Sequence, residues 1–255
     1  PLAELFKRNT IREQAAYIRS ASRETFRAVE RVEEREFYPL SSAQKRLFVL
    51  QQVKPGGTGY NIPVFLTLNG QLDVDALEKA FKQLVDRHDI LRTSFDLMDG
   101  EPVQRVHENV IFEMETGALD DFIRPFDLSQ APLLRARLHK EDDEKYILGV
   151  DIHHIAADGF STGIMVKELT ALYRGETLLQ PKVRYRDVAC RQYMDDYKKA
   201  LRERERFWLK RFEDEIPVVD VPIDFPRPRV QDFSGGLFSF NIEAEQARKL
   251  NGLAE

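Results

Sequence analysis

Along this chain apolar residues either alternate with polar ones or recur at three- and four-residue intervals, in blocks short enough to assign one by one. Thr10 and Glu13 stand at capping-box spacing and Ile11, Ala15 and Ile18 follow at helical intervals, which predicts a short helix. Residues 19–36 are dense in Arg and Glu and predict a solvated helical linker. Ser41 and Gln44 form a second capping box, opening a helix with Leu47 and Leu50 expected inward and Arg46 as a packing or ion-pairing residue. Gly56-Gly57-Thr58-Gly59 lacks the Lys-Ser/Thr of a phosphate-binding loop and is a turn. A strand is predicted over 62–68, with Pro63 near its start. Asp73 then caps a helix whose apolar face is Val74, Leu77, Phe81 and Leu84, with His88 expected there as a core histidine.

Residues 91–95 alternate like a strand, and Asp99-Gly100 is a hairpin signal joining it to another at 103–106. A strand over 133–139 and an acidic turn lead to Tyr146-Ile147-Leu148-Gly149-Val150, an apolar run suited to a buried strand. A helix opening at Ser161 or Thr162 follows, with Met165, Leu169, Leu172 and Tyr173 on one face. A long helix with Tyr193, Tyr197, Leu201, Trp208 and Phe212 as an expected core stripe comes next. Residues 217–228 are a proline-rich extended connector, 233–242 a strand, and 243–253 the start of a helix.

Composition narrows the function classes. With 255 residues, 42% of them hydrophobic, the chain is large enough for one large domain or two small ones with real cores. A net charge of −5 without a block of one sign argues against nucleic acid as the main partner. The single cysteine, Cys190, excludes an internal disulfide and a four-cysteine zinc site. No apolar run approaches membrane-spanning length, and the expectation is a cytoplasmic piece of something longer.

The candidate chemistry lies at residues 151–161, Asp-Ile-His-His-Ile-Ala-Ala-Asp-Gly-Phe-Ser, where a strand ends and Asp158-Gly159 turn the chain into a helix. Adjacent strand residues face opposite ways, so His153 and His154 are ill placed to share a metal, and no metal is expected. One imidazole is expected to face a cleft and the other to pack inward. Asp158 is placed to hold the turn through an ion pair.

This His-His-x-x-x-Asp-Gly string resembles the signature of the condensation domains of non-ribosomal peptide synthetases, in the chloramphenicol-acetyltransferase-like superfamily. Three further stretches resemble family motifs in the same order. They are Ser41-x-Ala43-Gln44-x-Arg46-Leu47-Phe48-x-Leu50, then Arg87-His88-Asp89-Ile90-Leu91-Arg92-Thr93-Ser94-Phe95, with Asp89 where Glu is usual, and Tyr185-Arg186-Asp187-Val188-Ala189-Cys190, with Cys190 in place of the usual Trp. The resemblance implies an α/β fold: a mixed sheet flanked by helices, one lobe of a two-lobed V. It implies that 1–20 end a preceding carrier protein domain, 21–36 link, 37–228 form the N-terminal lobe and 229–255 begin the C-terminal lobe.

The activity implied is peptide-bond formation, an acyl transfer from a donor thioester to the amine of an acceptor aminoacyl thioester. On this reading His154 acts as base or positioning residue and His153 is its structural neighbour. Gly159 leaves room for a pantetheine arm, while Ser161, Tyr185 and Asp187 line the channel. The resemblance also implies an arginine bridge to Asp158, from either Arg87 or Arg92. No cofactor is expected to be bound; phosphopantetheine arms come from upstream and downstream carrier domains, beside an adenylation domain. The string Tyr38-Pro39-Leu40-Ser41-Ser42-Ala43-Gln44-Lys45-Arg46 is most similar to the subgroup joining two L-configured residues. His153 and Thr162 argue against the heterocyclisation and epimerisation relatives. The alternative is a non-catalytic docking domain of the same fold that recruits carriers or tailoring enzymes.

Overall fold

The computed structural model describes residues 6–20, 28–53, 55–214, 216, 222–226, 229, 238 and 240–254. It divides into two compact units, Pro1–Glu205 and Arg206–Glu255.

In the first unit, α1 (Ile11–Ser20) begins at the expected capping box: Glu13 N donates to Thr10 Oγ1 at 3.3 Å, and Thr10 N to the Glu13 carboxylate at 3.2 Å. Beyond Ser20, where α1 ends, the charged stretch expected to be helical is not so where it is described. Residues 28–37 run as an irregular strap, with Val32 N donating to Asp187 Oδ1 (3.0 Å) and Arg31 Nη2 to the Pro181 carbonyl (2.9 Å). Fixed acceptors on the body outweigh local helix propensity here.

Strand β1 (Tyr38–Pro39) leads into α2 (Ser42–Val53), whose capping box joins Ser41 and Gln44 in both directions, at 3.0 and 3.2 Å. The inward residues of α2 are Gln44, Phe48 and Gln51; Leu47 is half-buried and Leu50 is 39% exposed, so the expected inward pair is corrected. Strand β2 (Asn61–Asn69) alternates, with Ile62, Leu66 and Leu68 against the core. Helix α3 (Val74–Arg87) is capped by Asp73, which accepts from Ala76 N at 2.9 Å, and buries Leu77, Phe81 and Leu84. A 3₁₀ turn (Asp89–Arg92) occupies the start of the stretch expected to be strand, and β3 (Thr93–Met98) begins after it. The hairpin to β4 (Glu101–Val106) turns at Asp99 and Gly100, with φ of 52° and 81°, the left-handed pair such a turn requires.

Strands β5 (Glu115–Thr116), β6 (Leu134–Lys140) and β7 (Lys145–His153) complete two sheets, ordered β1-β4-β3 and β2-β7-β6-β5. In the second sheet β7 pairs antiparallel with β2 and β6, while β5 runs parallel to β6. Strand β7 is therefore central, and it is buried from Leu148 to His153. Gly149 sits where an added Cβ would meet the Phe122 ring at 3.0 Å, so the ring packs directly on the strand backbone.

Helix α4 (Gly159–Tyr173) packs on α3 and contributes Met165, Leu169, Leu172 and Tyr173 to the core, the face the sequence predicts. Helix α5 (Tyr185–Arg191) follows. The next helix, α6 (Asp195–Arg211), buries no residue; Leu201, Trp208 and Phe212 are exposed, so the stripe expected as core is corrected. The second unit also holds α7 (Ala244–Ala254). The expected connector over 217–228 and strand over 233–242 fall largely outside the described residues. Among the described residues no helix is long and apolar enough to cross a membrane.

Candidate active site at the end of the central strand

The site is built where β7 stops. Its last residue, His153, points into the body and is 1% exposed. The His153 ring lies edge-on to Phe126, with centroids 6.0 Å apart and planes at 83°. Its Nδ1 accepts from Ile155 N at 3.1 Å, so the neutral ring carries its proton on Nε2, which is buried without a partner among the described residues. Burial, with His154 beside it, pulls the His153 pKa down from 6.5 to about 4. The ring is thus uncharged at neutral pH and braces the turn through Nδ1.

His154 faces the other way, as strand alternation requires. Its backbone N donates to the Tyr60 carbonyl at 2.8 Å, which fixes the strand end, and the residue is exposed. It lines a cavity of about 480 Å³ with Leu47, Ile90, Ile155, Met165, Tyr60 and His88 among its walls. Arg46 lines the same cavity and is exposed, rather than being packed in the body.

Asp158 ends the turn in extended geometry as the N-cap of α4. Its Oδ1 accepts from Ser161 N (2.9 Å) and from Ser161 Oγ (2.7 Å). These bonds hold its carboxyl below the usual carboxylate range. The arginine bridge expected at Asp158 is not formed and is corrected. Arg87 makes a two-pronged bond to Glu168, at 3.0 and 3.1 Å, and Arg92 donates to Asp89 at 3.0 Å. Helix capping satisfies the Asp158 carboxylate locally, while packing of α3 on α4 gives Arg87 a nearer partner.

Gly159 is the first residue of α4, and among the described residues, apart from its chain neighbours and the backbone of its own helix, no atom lies within 4 Å of where its Cβ would stand. Neither packing nor a left-handed backbone requires glycine at that position. Ser161 and Tyr185 line the cavity, and Tyr185 Oη lies 2.9 Å from Ser41 Oγ. Asp187 does not line it. It is buried and accepts from Arg184 N and Val32 N, at 2.8 and 3.0 Å, so it caps α5 and anchors the strap.

Two residues the sequence reading passed over belong here. Tyr60 lines the cavity, and Glu168 holds Arg87 and also His88, whose Nε2 lies 2.5 Å from Glu168 Oε2. Glu168 stands 80 residues from His88, and no spacing rule links them. The one available signal was a carboxylate beside Leu169 on a face otherwise bound for the core.

The model of the condensation domain family matches residues 34–255. The chain belongs to the condensation domains of non-ribosomal peptide synthetases. This condensation domain is 43% identical to bacitracin synthase 2 of Bacillus licheniformis over 263 residues, which is 100% of the chain and 10% of the relative. It is 41% identical to gramicidin S synthase 2 of Aneurinibacillus migulanus over 249 residues, 94% of the chain and 6% of the relative. The chain thus spans a tenth or less of the length of these synthetases.

Among solved structures, the X-domain from teicoplanin biosynthesis in complex with OxyB superimposes with a TM-score of 0.64 at 26% identity. The match covers 80% of this chain and 49% of that one. The starter condensation domain of rhizomide synthetase shares the fold, with a TM-score of 0.62 at 23% identity over 71% of this chain and 48% of that one. The mixed α/β architecture, two sheets flanked by helices, is that of the family.

Proposed function

We propose that this condensation domain forms a peptide bond within a multidomain synthetase, between two thioesters carried on the phosphopantetheine arms of an upstream and a downstream carrier domain. The observation that carries this is the split between two adjacent imidazoles. His153 is buried and uncharged, while His154 opens onto a largely apolar cavity. The acceptor amine attacks the donor thioester carbonyl, the tetrahedral intermediate expels the thiolate, and the proton lost from nitrogen ends on the sulfur. A thioester is already activated, so placing two substrates supplies much of the rate. His154 takes the proton from nitrogen or holds the amine in line. Open space at Gly159 leaves passage for a pantetheine arm.

Residues 1–20 end a carrier domain, 21–36 link it, 37–228 form the N-terminal lobe and 229–255 begin the C-terminal lobe. The start of the family match at residue 34 supports this division. An adenylation domain adjoins the carriers. The chain covers about half of the solved structures it matches, and one wall of the channel comes from the remainder, so the isolated chain is inactive. The Tyr38–Arg46 string supports two L-configured substrates.

The test is product formation by the intact parent enzyme with both carriers loaded, comparing wild type with His154→Ala. We expect a loss of about a hundredfold or more, with carrier binding and thermal stability kept. An unchanged rate refutes a chemical role for His154. A second reading, recruitment of a partner without chemistry, is favoured by the likeness to the X-domain solved with OxyB. Carrier binding by a wild type that makes no product would establish it.

A further inference from the structure

The cavity wall carries a second imidazole, His88, just beyond the end of α3. Behind it stands Glu168 of α4, itself gripped by both prongs of Arg87. Burial pushes the Glu168 carboxyl up, but the bonds from Arg87 and His88 outweigh it and hold the group below its usual range. An ionised carboxylate only accepts, so the His88 Nε2 facing it at 2.5 Å bears the proton. In the neutral ring Nδ1 is then an acceptor, and among the described residues the hydrogen bond His88 makes is the one through Nε2. The order is cavity, imidazole, carboxylate, guanidinium. This arrangement fixes both the tautomer and the direction of a histidine, in the way outer partners orient a working imidazole.

We propose that His88 touches the substrate, accepting a hydrogen bond through Nδ1 from the amine of the acceptor aminoacyl thioester. The carboxylate behind the ring makes it a stronger acceptor and suits a charged N–H donor. Asp158 and Arg46 also face this cavity and set the balance of charge around the amine. Glu168 and Arg87 are positioning residues that act through His88. The inference rests on the peptide-bond reading for the identity of the substrate.

Two substitutions separate substrate contact from a tether. His88→Gln places an N–H where Nε2 was and keeps the bond to Glu168, but removes the acceptor at Nδ1. His88→Asn keeps an acceptor near Nδ1 and gives up the bond to Glu168. The intact parent enzyme is titrated with a non-hydrolysable aminoacyl-pantetheine amide and with its des-amino analogue. Product formation is measured on the same samples.

We expect wild type to prefer the amino probe, His88→Gln to lose about tenfold of that preference, and His88→Asn to keep part of it. A preference intact in His88→Gln but lost in His88→Asn would make His88 a tether for Glu168 and overturn the proposal. So would a wild type that binds both probes equally. A wild type that discriminates between the probes, with that preference lost in His88→Gln, yet makes no product sustains the His88 contact and defeats the peptide-bond reading alone.

Discussion

Acidification puts a charge where His153 has no room for one. In the neutral ring Nδ1 accepts from Ile155 N, and Nε2–H is already buried without a partner among the described residues. A second proton must go onto Nδ1, where it breaks that bond and sets a donor against a donor, beside Phe126 and out of reach of water. Burial, and then the neighbouring His154, bring the pKa down from 6.5 to about 4. Between those values the unfolded chain binds a proton that the folded chain refuses, so stability is full above about pH 6.5 and drains as pH falls towards 4. At about 1.4 kcal/mol per pH unit, a gap of this size amounts to about 3 kcal/mol.

The substitution to compare is His153→Asn, which does not titrate and whose Oδ1 can still accept from Ile155 N. Urea unfolding of this chain across about pH 4–7 gives both curves. The variant is less stable at neutral pH, having lost the packing on Phe126, but its curve is flatter by up to about one proton over that window. His107, whose pKa burial also lowers, slopes both curves alike and cancels in the difference. Parallel curves would refute the account of a buried neutral ring.

Three further expectations follow from the same geometry. Asp158→Ala removes the cap of α4 and costs about 1 kcal/mol, a fall of roughly 2–4 °C in melting temperature for a domain of this size. Asp158→Asn, which caps as well, stays near wild type; a severe loss in the Asn variant would restore the arginine bridge. Because the Asp158 carboxyl is held below the usual range, the advantage of Asp over Ala is full above about pH 4 and shrinks as pH falls through the folded value. Gly149→Ala pushes a methyl into the Phe122 ring and destabilises by about 1–3 kcal/mol; Gly149→Ala with Phe122→Leu recovers part of that loss, measured by the same unfolding.

Much of this was legible in the sequence because it is local. The apolar run over 62–68 marked β2, Asp99-Gly100 marked the hairpin, and Thr10/Glu13, Ser41/Gln44 and Asp73 marked three helix starts. The strand-to-helix string located the two histidines, and alternation alone put them on opposite faces. What stayed hidden depends on neighbours distant in the chain. Helix α2 turns two glutamines inward, one of which accepts from Ser41 N at 3.0 Å, so a rule that buries leucines selects the wrong face. Arg87 meets Glu168 only because α3 packs on α4, and that pairing took the arginine the sequence reading had offered to Asp158. The strap over 28–37 follows from acceptors about 150 residues away, on Pro181 and Asp187.

The outer side of β2 carries a consequence for handling the protein. Among the described residues the strand lies at the end of its sheet, and it has no charged residue in its nine positions, Asn61–Asn69. Charge on an edge is the usual defence against one chain adding to the next. Here Pro63 is the one residue in the strand that cannot donate to such a ladder. Self-association on concentration should therefore begin along residues 64–69, and a lysine at the outward-facing Thr67 is the change that would raise the working concentration without touching the core.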